Sequence, residues 1–460
     1  MIDAGLLDPL AQGTRARELT SDAAFVSAMV ETEVALTGAL VDAGLAPEWM
    51  REVCAGLADA GSAGLDLEKL AEESRGGGNP VIPLLRHLSA VAEQLRDGAS
   101  DYLHVGATSQ DILDTAAMLT ARAVCEEVLA QLRQVGAALA ALAQTHRATP
   151  MAGRTLGQHA SPTTFGFVVA GWLDGVTGAI TALDRTNHML PLQYGGSVGT
   201  LDALEQWTSA RGGTAPSIAA AFAARLGLRL PPISWHTTRA PVLAMASALA
   251  GAMAAIGVIA IDVGVLARTE IAELAEGRSG TGSGEGGSSA MPHKNNPVAA
   301  VLISAAARRS PHLLGSLYAS ALSEDQRPMG AWHAEWLPLR DLERTAVASA
   351  SAAAALVSHL VVDEKRMSAN LELTGGRIES ERIATVLAAS MGRRAAFARV
   401  EEASGQPDDS ALAALLPSHG RGYVGAGSGD YALAAIDRVV EAFRAVDPAR
   451  AARSARSAPS

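Results

Sequence analysis

The sequence is poor in three kinds of residue, and each shortage argues against a class of protein. Phe, Trp and Tyr make up only 4% of the 460 residues, whereas β-sheets favour aromatic and β-branched side chains. The two cysteines, Cys54 and Cys125, are too few and too far apart for a disulfide framework or a zinc knuckle. Basic residues are outnumbered, with a formal net charge of −11, so we expect neither a nucleic-acid partner nor binding to an anionic membrane surface.

A signal peptide and a membrane span are also not expected. The first residues, MIDAGLLDPLAQG, lack a basic start and a long apolar run, which favours a cytoplasmic protein. Residues 241–261 carry no charge and have the length of a span. Their apolarity rests on alanine, however, and the helical pattern continues to residue 276 through Asp262 and Glu273. We therefore expect a helix buried between other helices.

Long helical patterns dominate the middle of the chain. The clearest begins at Thr108, which forms a capping-box pattern with Asp111, and it ends near Pro150. Further long helices are predicted over about 163–187, 238–276, 297–322 and 336–362.

These patterns predict an all-α protein of three domains. We expect an N-terminal helical domain (1–104), a central bundle of long helices (105–358) and a C-terminal helical domain (359–460). Because the long helices are rich in alanine, they present much small apolar surface, and we expect the bundle to complete its core by oligomerising.

Two familiar glycine motifs occur outside their usual context. Gly282, Gly284 and Gly287 fit G-x-G-x-x-G, yet an acidic helical run precedes them instead of a strand. The segment YGGSVGT (194–200) contains G-x-S-x-G without α/β alternation around it. The 11 histidines form no metal-binding pattern, so no metal or cofactor is predicted.

The glycine-rich stretch GSGEGGSSAMPHKNNP, residues 282–297, has two interpretations: a catalytic loop that binds an anion, or a loop whose last residues only cap a helix. Asn296 and Pro297 read as the start of a helix, where free N–H groups favour an anion. Lys294 is one of only three lysines in a chain that otherwise uses arginine. The alternative is that Asn296 only caps the helix and that Lys294 is solvated.

Three segments of the sequence carry a resemblance to a known family. The segment GSSAMPHKNNP (287–297) resembles the G-S-S-x-M-P-x-K-x-N signature of the fumarase/aspartase superfamily. The segments HVGATSQDILDTA (104–116) and GRTLGQHASPTTFG (153–166) resemble its first two conserved regions. Within the superfamily, the 3-carboxy-cis,cis-muconate cycloisomerases are most similar in three further segments, which are GGGNPVIPLL (76–85), LPLQYGGSVGTL (190–201) and GAWHAEWLPLRDL (330–342).

The resemblance implies a cofactor-free enzyme acting on a small di- or tricarboxylate. It implies the three-domain superfamily fold, with a tetramer core of helices and active sites shared between chains. Ser288 is then the general base that removes a proton next to a carboxylate, while Ser289, Lys294 and Asn296 hold the substrate carboxylate. The resemblance gives further substrate-binding roles to Thr108, Ser109, Gln110, Arg154, Thr155 and Gln158. His104 is either an acid–base residue or a structural histidine.

One departure from the superfamily pattern bears on the reaction. Many relatives carry a histidine that acts as an acid where this chain has Leu156. Either the nearest histidine, His159, takes over that role, or the reaction proceeds without an acid at this position. Without an acid, a leaving group must depart readily as an anion, as a carboxylate of pKa near ~4 does. Lactone formation by a cycloisomerase of the protocatechuate pathway of aromatic degradation meets this requirement.

A second departure keeps other functions open. Asn295 stands where cycloisomerases often carry arginine, which puts the tricarboxylate substrate in doubt. The alternative is a lyase that releases fumarate or a similar product from a substituted succinate, in a degradative or natural-product pathway. A non-catalytic structural role is disfavoured because Ser288, Lys294 and Asn296 are all retained.

Overall fold

The computed structural model describes residues 4–60, 65–277, 291, 294–406, 410–415 and 429–447. Helices dominate it, which confirms the all-α fold class. The helices are α1 (Ala16–Leu19), α2 (Asp22–Asp42), α3 (Met50–Ala60), α4 (Leu67–Gly77), α5 (Val81–Leu95), α6 (Ser109–Thr145), α7 (Phe165–Asn187), α8 (Asp202–Ser209), α9 (Ala215–Leu226), α10 (Ala240–Leu266), α11 (Val298–Ser320), α12 (Ala331–Ser358), α13 (Glu364–Leu371), α14 (Ser380–Met391), α15 (Arg393–Ser404), α16 (Ser410–Ala414) and α17 (Gly429–Val446). Two antiparallel strand pairs accompany them, β1 (Pro150–Thr155) with β2 (Gln158–Thr164) and β3 (Leu274–Glu276) with β4 (Leu360–Val362).

The chain divides into two compact units, and several long helices begin in one unit and end in the other. The first unit comprises Met1–Ala130, Ala182–Met253 and Ala306–Ser349. The second comprises Gln131–Thr181, Ala254–Ala305 and Ala350–Ser460. The three-domain division drawn from the sequence stays a prediction.

The first unit is held by packing of amphipathic helices with well-capped ends. The side chain of Ser21 accepts a hydrogen bond from the backbone N–H of Ala24 and caps α2, and Asp66 caps α4 through Lys69 N–H. Such caps satisfy helix N–H groups that have no partner inside the helix. The large buried side chains of this core include Met29, Leu36, Leu84, Leu88, Ile112 and Phe222.

The second unit contains the C-terminal part of α6, most of α7 and the two strand pairs. Gly136 in α6 permits a close approach of α17, because an added Cβ would lie 2.2 Å from the ring of Phe443. Asp262 of α10 accepts a hydrogen bond of 2.7 Å from the indole N–H of Trp172 in α7. This polar pair links the two helices at a defined position within the unit.

Three helices of the described residues are long and apolar enough to cross a membrane by length and composition, namely α2, α7 and α10. Half or more of each apolar window is buried inside the structure, from 50% in α10 to 72% in α2. The buried part of each window accounts for part of its apolarity, as in a helix packed inside a bundle.

The structure corrects the predicted extent of α10 and adds a hairpin. The helix ends at Leu266 and not at residue 276. A turn follows, in which Ala272 adopts a left-handed backbone (φ 51°), and the chain then enters β3. Glu273 is fully buried beyond the helix, where it pairs with an arginine described below. The β1–β2 hairpin falls in a segment whose two prolines and short apolar stretches gave no strand pattern.

Candidate active site

The N-terminus of α6 is organised around the buried carboxylate of Asp111. Its Oδ2 accepts the backbone N–H of Thr108 at 3.0 Å, which completes one half of the predicted capping box. The backbone N–H of Gly195 donates to Oδ1 of Asp111 at 3.0 Å, and that of Gly196 donates to Oδ2 at 2.8 Å. The glycine-rich segment 194–200 is thereby tied to the start of α6.

Two side chains complete the environment of Asp111. Gln193 donates from Nε2 at 2.9 Å, and Nε2 of His236 lies 2.7 Å from Oδ1. Because a carboxylate only accepts, Nε2 of His236 carries the proton. A buried carboxylate is tolerated when donors surround it in this way, so Asp111 acts as a rigid anchor for the loops around it.

A second buried ionic cluster lies one helical turn further along α6. The guanidinium of Arg239 binds both oxygens of Asp114, at 2.6 and 3.0 Å, and also binds Glu335. Trp332 donates its indole N–H to Asp114 at 2.9 Å. Burial raises the pKa of Glu335 to about 7, although Arg239 opposes this shift. The W-H-A-E-W segment of α12 is thus part of the packing beneath the α6 N-terminus.

Gln110, one of the predicted substrate-binding residues, belongs to this buried cluster. Its side chain is fully buried, and Nε2 donates to Asp114 at 3.1 Å and to the carbonyl of His236 at 2.9 Å. Gln110 therefore joins the Asp111 and Asp114 clusters, while the neighbouring Thr108 and Ser109 are only partly buried.

His104 lies beside a fully buried acid. Its Nδ1 is 2.6 Å from Oε1 of Glu33, which is 1% exposed. Burial lowers the pKa of His104, but the hydrogen bond and charge of Glu33 outweigh this effect and raise it above its ordinary value. His104 also has a left-handed backbone (φ 56°), a conformation that costs free energy and concentrates at functional sites. The pair favours an imidazolium at this position.

Arg327 is a cation at the same end of α6 that the sequence did not indicate. Its guanidinium donates to the hydroxyl of Thr108 at 2.9 Å and to the carbonyl of Ser197 at 3.2 Å. It comes from the loop between α11 and α12, where no motif marked it. With His104 and the N-terminus of α6, Arg327 makes this region of the first unit suited to an anion.

In the second unit, the β1–β2 hairpin is tied down by Arg154. The guanidinium makes two hydrogen bonds to the carboxylate of Glu273, at 2.6 and 3.0 Å. Asn370 of α13 donates to the same carboxylate at 2.7 Å. Since its guanidinium is engaged by Glu273, Arg154 orients the hairpin in this structure.

The tip of this hairpin is a tight turn formed by Leu156 and Gly157. Thr155 pairs with Gln158, and both central residues have positive φ, 51° and 79°, as in a type I′ turn. Such turns favour asparagine and glycine, so a leucine there is strained. Leu156 is fully exposed, and Thr155 and Gln158 beside it are exposed as well.

His159 follows the turn and lies across from Arg154 in the strand register. Burial lowers its pKa, and the charge of Arg154 lowers it further, while Glu273 acts in the opposite sense. Its Nδ1 is buried without a hydrogen-bond partner among the described residues. The imidazole is accordingly neutral at pH 7.

The start of α11 already holds an anion that belongs to the protein. The helix begins at Val298, one residue after the predicted start at Pro297. Glu276 of β3 accepts the backbone N–H groups of Ala299 at 3.2 Å and Ala300 at 2.8 Å. The carboxylate of Glu276 therefore occupies these two donors, which we expected from the sequence to be available to an anion.

The structure brings the predicted residues together in two groups. His104, Thr108, Ser109 and Gln110 lie in the first unit, and the hairpin residues with Lys294 and Asn296 lie in the second. Lys294 is exposed. Ser288 and Ser289 lie outside the described residues. Among the residues that the structure describes, no group of three or more His, Cys, Asp or Glu side chains could hold a metal ion.

Comparison with known proteins identifies relatives along most of the chain. A family model described as "Lyase" matches residues 20–310. The nitrosuccinate lyase of Streptomyces davaonensis is 44% identical over 420 residues, covering 90% of this chain and 87% of that protein. The 3-carboxy-cis,cis-muconate cycloisomerase of Acinetobacter baylyi is 37% identical over 390 residues, covering 84% of each.

Solved structures agree with these relatives. The 3-carboxy-cis,cis-muconate lactonizing enzyme from Pseudomonas putida superposes with a TM-score of 0.83 at 31% identity, covering 96% of this chain and 99% of that one. The fumarate lyase from Mesorhizobium sp. BNC1 superposes with a TM-score of 0.78, also at 31% identity, covering 93% of this chain and 97% of that one.

Proposed function

This chain belongs to the lyase family of the fumarase/aspartase superfamily, and from that premise we propose that it eliminates a stable anion, nitrite, from nitrosuccinate to give fumarate. The reaction class is that of the related nitrosuccinate lyase, which is 44% identical. It also corresponds to the alternative that the sequence left open beside cycloisomerisation, the release of fumarate from a substituted succinate.

The observation that carries the proposal is the hairpin tip. Leu156 stands where many superfamily members carry a histidine acid, and its exposed hydrocarbon side chain cannot give up a proton. His159, the nearest histidine in sequence, has a lowered pKa and is neutral at pH 7, which makes it a poor acid. A leaving group served by this hairpin must depart without protonation, and nitrite, the anion of an acid of carboxylic strength, does so.

The elimination balances with the residues that the family resemblance assigns. Ser288 removes the proton from the carbon next to the distal carboxylate, and the electron pair of that C–H bond forms the double bond. The C–N bond breaks, and its electron pair leaves with nitrite. The products are fumarate, nitrite and one proton, which passes from Ser288 to water.

The remaining assigned residues bind the two carboxylates and orient the substrate. In the first unit, the side chains of His104 and Thr108 and the guanidinium of Arg327 offer hydrogen-bond donors to an anion, and Arg327 adds positive charge. Lys294, Asn296 and Ser289 hold a carboxylate beside Ser288 on this proposal. The other assigned substrate-binding residues are Ser109, Gln110, Arg154, Thr155 and Gln158.

A second candidate function is cycloisomerisation of 3-carboxy-cis,cis-muconate. It is favoured by the similarity to the Pseudomonas putida lactonizing enzyme, with a TM-score of 0.83. It also needs no acid at position 156, because the group that adds is a carboxylate. Two assays of the purified protein separate the candidates. In the first, the protein is incubated with nitrosuccinate, and the formation of fumarate and nitrite is measured. In the second, it is incubated with 3-carboxymuconate, and the loss of muconate absorbance is measured.

We also propose a homotetramer of three-domain chains with shared active sites and a cytoplasmic location. The apolar side chains of Val258 and Ile261 on α10 are 53% and 39% exposed in the single chain, as expected of a face that another chain covers. Light scattering tests the assembly, and a monomeric mass would contradict it.

A further inference from the structure

A cavity of about 200 Å³ lies in the first unit, between α6, α12 and the start of α2. Its walls are mostly carbon, and they include Phe25, Leu113, Ala117, Trp336 and Leu339. An apolar cavity of about 150 Å³ in another protein holds a benzene molecule. The space here therefore suits a molecule with one ring or a short branched chain.

One wall of this cavity carries a carboxyl group with an unpaired buried oxygen. Glu343 of α12 lines the cavity and is 4% exposed, and its Oε1 has no hydrogen-bond partner among the described residues. Burial raises the pKa of Glu343 to about 8, although the charge of Arg340 opposes the shift. An unpaired buried polar group costs free energy, which a ligand with a matching group recovers.

The charges around the cavity favour a cationic partner for Glu343. Asp22 and Arg340 line the cavity and pair with each other at 2.9 Å. Asp114 and Glu335 also line it and share a single counter-ion, Arg239. Acid groups thus outnumber basic groups around the cavity before Glu343 is counted.

We propose that this cavity binds a small primary amine, with its ammonium group on the carboxylate of Glu343 and its hydrocarbon part between α6 and α12. A neutral Glu343 must give up its proton for this pairing, so one proton leaves to solvent for each amine bound. The charge of Arg340, on the same helix, acts on Glu343, and the neutral thiol of Cys125 on α6 is also within its electrostatic reach. Asp114 on α6 and Asp22 on α2 line the same cavity. Glu343 and the carbon walls are not among the residues assigned to the carboxylate substrate, so this site is separate in function from the proposed elimination.

Isothermal titration calorimetry of the full-length protein with benzylamine tests the proposal, with benzyl alcohol as a neutral ligand of the same shape. We expect benzylamine to bind more tightly than benzyl alcohol at pH 7. Titration in two buffers of different ionisation enthalpy is expected to show release of about one proton per amine, as linkage requires for a group of raised pKa.

Two variants and a matched control complete the experiment. Glu343→Gln is expected to weaken benzylamine binding at least tenfold and to abolish proton release, while benzyl alcohol binds as before. Glu52→Gln, at an exposed position of α3, is expected to change nothing. Ala117→Leu, which fills the cavity, is expected to weaken both ligands and is checked for helix content by circular dichroism.

Three outcomes would overturn the proposal. The first is the absence of benzylamine binding to the wild-type protein, which would mean that the cavity holds water only. The second is benzyl alcohol binding as tightly as the amine. The third is unchanged benzylamine affinity in Glu343→Gln or, if that variant does not fold, in Ala117→Leu.

Discussion

The guanidinium of Arg154 donates two hydrogen bonds to the fully buried carboxylate of Glu273, with Nη2–Oε1 and Nη1–Oε2 distances of 2.6 and 3.0 Å. The pair joins the β1–β2 hairpin to the segment that follows α10, within the second unit. Because Asn370 donates to the same carboxylate, the oxygen atoms of Glu273 are well satisfied. The position of the hairpin tip depends on this contact.

Breaking this pair is therefore expected to be costly. Glu273→Gln leaves the largely buried guanidinium of Arg154 without its counter-ion, and loss of one partner of a buried pair costs about 3–5 kcal/mol. Urea denaturation measures the change. Arg399→Gln is the matched control, because Arg399 and Glu402 are both more than half exposed, and such pairs contribute about 1 kcal/mol or less. Equal effects of the two variants would show that the hairpin does not depend on Glu273.

The His104–Glu33 pair predicts a pH dependence. A raised histidine pKa means that the folded protein holds the proton more tightly than the unfolded chain. The stabilisation is complete below the unfolded pKa of about 6.5 and is lost as pH rises through the higher folded value. Glu33→Gln is expected to lower the pKa of His104, and its loss of stability relative to the wild-type protein is expected to shrink as pH rises through this window.

An NMR titration of the His104 ring measures the pKa directly, and urea denaturation across the same pH range measures the stability. Glu31→Gln is the control, because Glu31 is exposed on the same helix. A His104 pKa that is the same in Glu33→Gln and wild type would contradict the assignment.

The strained turn at Leu156 predicts a gain in stability at the expense of activity. Asn is favoured where φ is positive, so Leu156→Asn is expected to stabilise the protein by about 1 kcal/mol through relief of left-handed strain. Because the hairpin tip belongs to the proposed substrate site, kcat/KM is expected to fall in the same variant. Thermal denaturation and steady-state kinetics measure the two effects, and a destabilised Leu156→Asn would contradict the strain assigned to this turn.

Glu343 predicts stability that depends on pH in the opposite sense to ordinary acids. Its pKa is raised to about 8 by burial, so the folded protein binds a proton that the unfolded chain releases near pH ~4.3. The stabilisation from this bound proton is fully present below the pKa of the unfolded state and is lost as pH rises through the pKa of the folded state. The free energy of unfolding of Glu343→Gln, measured by urea denaturation, is therefore expected to rise relative to that of the wild-type protein as pH increases from 5 to 9. A constant difference across that range would contradict the raised pKa.

The sequence predicted the long helices well because their information is local. The capping box at Thr108 and the end predicted near Pro150 place α6 within a few residues of its observed bounds. The predicted helix over 238–276 was too long, because a turn that the local pattern did not reveal follows Leu266 and includes the left-handed residue Ala272. The β1–β2 hairpin was missed because its segment carries prolines and polar residues and lacks alternating apolar ones.

The candidate site was predictable only where a motif marks it. The resemblance to the superfamily pointed to Ser288, Lys294 and the first turn of α6. Asp111 was recognised as a capping residue, but its bonds to Gly195 and Gly196 join residues more than 80 positions apart, which no local pattern reveals. Arg327 lies in a loop and reaches Thr108 across 219 positions. Its role is apparent only from the folded chain.

The measurement that tests the central claim most directly is the product analysis of nitrosuccinate incubated with the purified protein and with Ser288→Ala. We expect the wild-type protein to release fumarate and nitrite in equal amounts, and Ser288→Ala to lose at least about a hundredfold of this activity with its helix content unchanged, as expected for loss of a general base. The account is contradicted if nitrosuccinate is not consumed while 3-carboxymuconate is, or if Ser288→Ala retains near-normal turnover.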